Sequence, residues 1–223
     1  MPSVTSEVVG SIETVCVGAL RDVEHRGKTV ATGIYKSAVE GPVRVMGWNL
    51  EGDEQADRSV HGGEHKAVYG FPAEHYPAWR EAFPEVDMPW GVFGENLTTR
   101  GLTEETVRVG DRYRVGSAEL VATQPRQPCF KFSIRMGDPR VGKRMVETGQ
   151  SGFYFSIAAE GALQAGDSVE LVDRLEGALS IAELNRLYYD KSVGAAELRA
   201  AVETPGLIED WKRWLTERAD KAG

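Results

Sequence analysis

Short runs of alternating or β-branched residues, separated by turns rich in Gly, Pro and Asp, recur from Val8 to about Arg174. Alternation points every second side chain to the same face, so these runs favour strands over helices. Their spacing is typical of a barrel or a sandwich. The expected strands are residues 12–17, 43–46, 67–71, 107–109, 113–115, 119–123, 153–158 and 168–172. The sequence therefore predicts a mainly β domain.

Two helices are expected to interrupt the strands. Residues 72–83 carry Tyr76, Trp79 and Phe83 at helical spacing. Residues 138–149 begin with Asp-Pro and end at a glycine, which are typical start and stop signals of a helix. Both segments are interpreted as packing elements.

After Leu175 the pattern changes to helix. Ser180 and Glu183 have the spacing of a capping box. Further helices are expected over residues 196–202 and from Leu207 onward. The sequence thus predicts two domains, a β domain over residues 1–174 and a three-helix domain over residues 175–223. A helical unit of this size buries little by itself, so it is expected to dock on the β domain or on a partner.

Charge and cysteine content exclude several classes of protein. The chain has 223 residues, 26 Lys and Arg, 34 Asp and Glu, and 2 Cys, which gives a net charge of −8. Two cysteines are too few for a disulfide framework or an iron–sulfur cluster. The negative charge disfavours nucleic acid unless a local basic patch outweighs it. No apolar run is long enough to span a membrane, and no basic residue precedes Arg21, so a cytoplasmic location is expected.

The segment from His61 to His65 reads His-Gly-Gly-Glu-His and matches a zinc-peptidase pattern. That pattern requires a helix, which Gly62 and Gly63 oppose by about 1 kcal/mol each. A glycine turn with exposed amides fits an anion cradle better, and Lys66 lies beside it. We therefore favour an anion site over a zinc site.

The segment around Cys129 is the most informative in the chain. Pro125 and Pro128 prevent a regular helix and hold the backbone extended, so the thiol is presented at a fixed place. Arg126 and Lys131 bracket Cys129, and their charges would favour a thiolate, the form that binds soft metals. A cysteine simply buried at a barrel rim is an equally open alternative.

Cys16 differs from Cys129 in its surroundings. It lies between Val15 and Val17 in an expected strand, with no cation nearby in the sequence. A packing role is expected for Cys16.

Five motifs follow one another at residues 55–57, at 61–63 with 66–68, at 93–97, at 124–126 with 128–129 and 131, and at 151–154 with 166–167. In this order they resemble the MOSC family, which is named for the C-terminal domain of molybdenum cofactor sulfurases. The length and the helical tail resemble its YiiM-like subgroup. One departure is His65, where the family commonly has aspartate.

The resemblance implies a fold, a cofactor and an activity. The fold is a β-barrel of the pyruvate-kinase type, followed by a small three-helix domain. The cofactor is a molybdenum cofactor (molybdopterin), with Cys129 as the metal ligand. The implied activity is reduction of small N-hydroxylated compounds such as 6-hydroxylaminopurine. Nucleic acid and membranes are not expected partners.

The resemblance also implies roles for the site residues. His61, Lys66 and Cys129 are expected to form the catalytic group, with His61 as a candidate proton donor because its ordinary pKa lies near about 6.5. The expected cofactor-binding residues are Gly62, Gly63, Asn96, Arg126 and Lys131. Because the sequence has no dinucleotide fingerprint, an external flavin or iron–sulfur reductase is expected to supply electrons.

Two other functions remain open from the sequence. Cys129 could carry sulfur as a persulfide, which uses the same cationic segment without a metal. The chain could also bind the cofactor without catalysis.

Overall fold

β-Branched and aromatic residues pair into strands through the first three quarters of the chain, as their preference for pleated surfaces favours. The computed structural model describes residues 6–56 and 62–223. The strands are β1 (Glu7–Val17), β2 (Arg21–His25), β3 (Lys28–Thr32), β4 (Ser37–Ala38), β5 (Val43–Met46), β6 (Asn49–Leu50), β7 (Val68–Pro72), β8 (Leu97–Arg100), β9 (Arg112–Val115), β10 (Ala118–Pro125), β11 (Phe153–Ala159), β12 (Gly161–Leu163) and β13 (Ser168–Asp173).

Seven of these strands close into a barrel. The order is β1-β13-β9-β10-β11-β7-β8 and back to β1, with every pair antiparallel except β7 and β8. Pairing of Glu7 with Leu171 closes the ring, which leaves these strands without free edges. Strand β2 and strand β3 form a separate hairpin outside the ring. The expected barrel is therefore confirmed.

Six α-helices and two 3₁₀ turns accompany the strands in the described parts of the chain. None of these helices has the length and apolar character needed to cross a membrane. The α-helices are α1 (Tyr76–Ala82), α2 (Phe130–Met136), α3 (Val141–Thr148), α4 (Ile181–Tyr189), α5 (Ala195–Val202) and α6 (Glu209–Ala222). The 3₁₀ turns are Glu64–Lys66 and Ala73–His75.

The capping box at the start of α4 is confirmed. The Ser180 hydroxyl accepts from the Glu183 amide at 3.1 Å, and the Glu183 carboxylate accepts from the Ser180 amide at 2.7 Å. Two backbone donors that would otherwise be unpaired are satisfied in this way. The local sequence alone therefore fixed this helix start.

The expected strand over residues 107–109 is wrong. Only a single bridge forms there, between Arg108 and Ser180. Val107 and Val109 are buried as the alternation indicated, but Asp111 accepts a hydrogen bond from the Arg108 amide at 2.8 Å and turns the backbone. The alternating apolar residues here indicate which side chains are buried, and they do not indicate strand pairing.

Helix boundaries also differ from the prediction. Pro72 is the last residue of β7, so α1 begins only at Tyr76. Helix α3 begins at Val141, because Asp138 accepts from the Arg140 amide at 2.7 Å and forms a turn first. Helix α2 was not predicted, since its sequence Phe-Lys-Phe-Ser-Ile alternates like a strand.

The three C-terminal helices share one apolar core with the barrel. Leu184, Leu198 and Leu215 are fully buried in the same cluster as the barrel residue Leu120. Packing on the β domain, one of the two expected arrangements, is thus present. The last barrel strand ends at Asp173, and the division into domains after residue 174 stays a prediction.

Candidate functional site

A cleft opens beside strands β7, β8 and β10 of the barrel. Lys66 precedes β7 and Asn96 precedes β8, and these two strands run parallel. Arg126 follows β10, whose neighbour β11 begins beside Tyr154 and runs the opposite way. Strand pairing aligns Tyr154 with Gln124 of β10 and with Tyr69 of β7, which brings the flanking residues of these strands together, and all four side chains line the cleft.

Cys129 lies in the wall of this cleft at the junction between an extended segment and α2. Its backbone is extended, with φ −126° and ψ 165°, and the helix begins at the next residue. The thiol is only partly buried, and its side chain makes no capping hydrogen bond to the helix. The predicted presentation of Cys129 by an extended segment agrees with this geometry, and the residue is accessible from the cleft.

Arg126 is a fixed cation beside the thiol. Its side chain donates to the Phe93 carbonyl at 2.6 Å and to the Tyr69 hydroxyl at 3.3 Å, and the guanidinium lies 4.9 Å from the Phe132 ring centroid. Burial alone would lower the pKa of Arg126, but interactions with Tyr69, Tyr154 and Cys129 raise it above its usual value. The charge is therefore retained although Arg126 is only 5 % exposed.

A buried ion pair that the sequence analysis missed forms the floor of the cleft. The Lys36 ammonium contacts the Asp53 carboxylate, and both residues line the cleft. Asp53 also accepts from the Gly18 amide at 2.9 Å and from the Asn96 side-chain amide at 3.0 Å. Burial lowers the pKa of Lys36, and Asp53 opposes this change. No local motif marks Lys36, because its partner lies 17 residues away.

Asn96 connects this floor to the barrel. Its side-chain oxygen accepts from the Tyr69 amide at 3.1 Å, while its backbone pairs with Cys16 and Tyr69. Strands β1 and β7 are thus tied to one residue directly before β8, and that residue also lines the cleft. The geometry explains why Asn96 is held rigidly, and a role in ligand binding remains a prediction.

Glu95 is fully buried behind the cleft. One carboxylate oxygen accepts from the Tyr76 hydroxyl, from the Gly91 amide at 2.8 Å and from the Thr98 hydroxyl at 3.0 Å. The other oxygen has no hydrogen-bond partner among the described residues. Burial raises the pKa of Glu95, and the hydrogen bonds from Tyr76 and Gly91 oppose that rise.

This arrangement makes the stability of the protein depend on pH. The native pKa of Glu95 lies above the ordinary value of 4.5. Stabilisation by its bound proton is therefore complete below pH 4.5 and is lost as the pH rises towards the native pKa, by up to about 1.4 kcal/mol per pH unit. Glu95→Gln should remove this contribution. Urea unfolding of both proteins across that range should show the stability advantage of the wild type shrinking, whereas a constant difference would contradict the assignment.

The turn that carries Lys66 is anchored from the barrel and from the helical domain. The His65 carbonyl accepts from the Thr123 hydroxyl at 2.7 Å and from the Gln124 amide at 3.3 Å. Gln124 in turn accepts from the Trp211 indole of α6 at 3.0 Å. Burial lowers the pKa of Lys66, and Asp210 of α6 opposes this change. Helix α6 therefore contributes to the position and the charge of this lysine.

Trp211→Phe should weaken this anchor. The substitution keeps an aromatic ring but removes the indole donor, so the buried Gln124 oxygen loses its partner. We expect a loss of about 1–3 kcal/mol in the free energy of unfolding. Thermal and urea unfolding measure this loss, and Trp214→Phe, on the same helix and less buried, serves as the control. Equal effects of the two substitutions would contradict the anchoring role.

The structure brings together five of the predicted site residues in the described part of the chain: Lys66, Asn96, Arg126, Cys129 and Lys131. The Lys131 ammonium donates to the Ala31 carbonyl at 2.9 Å while lining the cleft. Gly62 and Gly63 are not part of the described wall, although Gly63 adopts φ 88°, which only glycine takes easily. His61 lies outside the described residues.

Cys16 is fully buried in β1. Burial, reinforced by Glu95, raises its pKa to about 12, so this thiol stays protonated. The expected packing role of Cys16 is consistent with this environment.

Two family models match the chain. One, described as MOSC domain, matches residues 57–170, and one described as YiiM-like, 3-alpha helix domain, matches residues 179–222. The chain belongs to the MOSC family. The helical model identifies this MOSC protein further as YiiM-like, as its length and helical tail indicated.

Relatives cover most of this MOSC chain. An uncharacterized protein YflK of Bacillus subtilis is 36% identical over 95% of both chains, and Protein YiiM of Escherichia coli is 34% identical over 84% of both. A protein of Gibberella moniliformis named Reductase is 35% identical over 80% of this chain, which spans 32% of that protein.

Solved structures agree with this assignment. The crystal structure of YiiM from Geobacillus stearothermophilus has a TM-score of 0.78 and 34% identity, covering 94% of this chain and 99% of that one. YiiM from Escherichia coli has a TM-score of 0.75 and 27% identity, covering 96% of this chain and 94% of that one.

Proposed function

We propose that this MOSC protein binds a molybdenum cofactor in the cleft and reduces N-hydroxylated compounds such as 6-hydroxylaminopurine. An external flavin or iron–sulfur reductase would donate the electrons, and the reaction would take place in the cytoplasm. The observation that carries the proposal is the meeting of one accessible thiol, Cys129, with Lys66, Arg126 and Lys131 in a single cleft. The relative named Reductase supports a reductive activity.

The cleft has the charged groups that such a cofactor needs. The space inside the cleft is about 100 Å³, below the usual range for small-molecule sites, so part of a pterin would lie at its open mouth. Arg126 supplies a permanent charge for anionic groups, and Lys66 and Lys131 can neutralise phosphate. An anionic pterin with a phosphate therefore fits the cations of the cleft.

The ligands available for a metal also fit. In the described part of the chain, no group of three or more His, Cys, Asp or Glu side chains could hold a metal ion. A metal at Cys129 would thus have to arrive with other ligands of its own. A pterin dithiolene supplies sulfur ligands, and one protein thiolate matches a sulfur-rich site. Cys129 would hold the metal.

When bound, the cofactor would supply the two-electron chemistry that cleaves the substrate N–O bond. The protein would bind and orient the cofactor and deliver protons. Lys36 lies at the cleft floor, and its lowered pKa makes its ammonium a better proton donor than an ordinary lysine. His61 remains a second candidate donor. Rings of Tyr69 and Tyr154, with centroids 5.2 Å apart, would restrict water on one side.

Metal and pterin analysis of protein from a molybdenum-replete host tests the proposal. We expect close to one molybdenum and one pterin per chain, and reduction of 6-hydroxylaminopurine with reduced methyl viologen as donor. Loaded protein without turnover would support a binding module and contradict the reductase. Cyanide-releasable sulfur without molybdenum would instead favour a persulfide carrier.

A further inference from the structure

The positive charge of this acidic protein is concentrated in two segments. Residues 20–36 and 127–148 together carry nine Lys or Arg and four Asp or Glu, a net charge of +5 in a chain whose total is −8. The rest of the chain therefore carries −13. A separation of this size creates a local positive potential that the net charge conceals.

The β2–β3 hairpin of the first segment and helix α2 of the second lie against each other. Lys131 of α2 donates to the Ala31 carbonyl of β3 at 2.9 Å, and the rings of His25 and Phe130 lie 5.9 Å apart. Tyr35 contacts a cation from each segment, since the guanidinium carbons of Arg21 and Arg135 lie 3.2 Å and 5.1 Å from its ring centroid. We call the surface made by residues 20–35 and 127–136, which carry five Lys or Arg and two Asp or Glu, the basic face.

The basic face borders the cleft. Thr32 and Gly33 from the first segment and Cys129 and Lys131 from the second all line the cleft wall. A protein that contacts the basic face therefore comes close to the Cys129 thiol.

Several cations of the basic face point to solvent. Arg26 and Lys28, at the tip of the β2–β3 hairpin, are exposed and form no ion pair within the described residues. Arg26 has φ 53°, the one positive φ found for a non-glycine residue in the described chain. Asn, Asp or Gly would suit this turn position better than arginine. A long cation thus occupies the hairpin tip although the backbone does not favour it.

The basic face also exposes apolar side chains beside the cleft. Phe130, next to Cys129, is 52 % exposed, and Leu20 is 43 % exposed. The Leu20 amide donates to Glu54 of the cleft wall at 2.7 Å, which places this residue at the rim. Exposed apolar residues beside charged ones are typical of a protein contact surface.

We propose that the basic face is the docking surface for an acidic electron-transfer protein that carries a flavin or an iron–sulfur cluster. The inference rests on the proposed reductase function, because that function requires an external donor. Opposite charges would steer the donor to the face, and contact with Phe130 and Leu20 would bring its redox group towards the cleft. A polyanion such as RNA is the competing occupant.

Charge reversal at the hairpin tip tests the docking surface. The test variant is Arg26→Glu/Lys28→Glu, whose positions lie outside the cleft wall. The matched control is Lys191→Glu/Lys221→Glu, which changes the net charge equally on exposed positions of the helical domain. Binding of an oxidised acidic [2Fe–2S] ferredoxin and of an acidic flavodoxin is measured by calorimetry, and turnover is measured with each donor and with reduced methyl viologen.

We expect the test variant to bind both acidic probes about ten-fold more weakly, and wild-type binding to weaken as ionic strength rises. The control variant should bind like the wild type, and viologen-driven turnover should stay unchanged in all three proteins.

Equal binding by all variants, or no binding of either acidic probe, would overturn the docking inference and leave the proposed reductase function intact. Tight RNA binding that only the test variant loses, without binding of either acidic protein, would overturn it in favour of nucleic acid. If wild-type protein loaded with molybdenum and pterin shows no turnover with reduced methyl viologen, the proposed reductase function is rejected. The calorimetry would still decide whether the basic face binds acidic proteins.

Discussion

Cys129→Ser should abolish retention of molybdenum and pterin and reduce turnover of N-hydroxylated substrates at least about 100-fold. A serine hydroxyl stays protonated and is a hard ligand, so it cannot replace a thiolate at a sulfur-rich metal. The expected loss is not a folding defect, because Cys129 is partly exposed and occupies the N-cap of α2 without a capping hydrogen bond. Serine is favoured at that position and should leave stability unchanged or raise it by about 0.5–2 kcal/mol.

Molybdenum content by mass spectrometry and pterin content by fluorescence measure the effect of Cys129→Ser, alongside thermal unfolding. Cys16→Ala is the matched control, since it removes the other thiol from a buried position outside the cleft. This control should keep the metal even if its melting temperature falls. Full metal content in Cys129→Ser would refute the assignment of Cys129 as the metal ligand.

Lys36→Met should lower the free energy of unfolding by about 3–5 kcal/mol, because it leaves the buried Asp53 carboxylate without its counter-ion. Hydrogen bonds from Gly18 and Asn96 would remain, but neither carries a charge. Lys36→Met/Asp53→Asn removes both charges and should recover much of the lost stability. Urea unfolding of the single and the double variant measures this difference.

The same pair of variants separates stability from chemistry. If Lys36 delivers a proton, the double variant should regain stability while its turnover stays low, because the ammonium at the cleft floor is still missing. Molybdenum content should be measured in parallel. Turnover that recovers together with stability would show that Lys36 is needed for folding alone.

Local signals were reliable where one segment decides its own structure. The capping box at Ser180, the extended backbone before Cys129 and most barrel strands followed from short patterns of residues. They failed at residues 107–109, where alternating apolar residues are buried but do not pair as a strand. They also failed at helix α2, whose alternating sequence resembles that of a strand.

The cleft itself shows what no local pattern could give. Cys129, Arg126 and Lys66 were found because each lies in a motif with unusual chemistry. Lys36 and Asp53 were missed because a buried ion pair is created by the meeting of two distant segments, and neither residue is unusual in its own segment. The basic face was also missed, because its two segments are distant in the sequence and meet only in the folded chain. The net charge of −8 conceals their positive charge.

The sequence by itself determined a β domain followed by helices, the special position of Cys129 and the family, because these depend on spacing and order along the chain. Tertiary structure alone decided that the barrel closes through β1 and β13, that Lys36 and Asp53 pair beneath the cleft, and that a hairpin and α2 join in one basic face. Each of these depends on contacts between residues far apart in sequence. These contacts form only when the barrel closes and charged groups become buried. Both events require the whole chain to be folded.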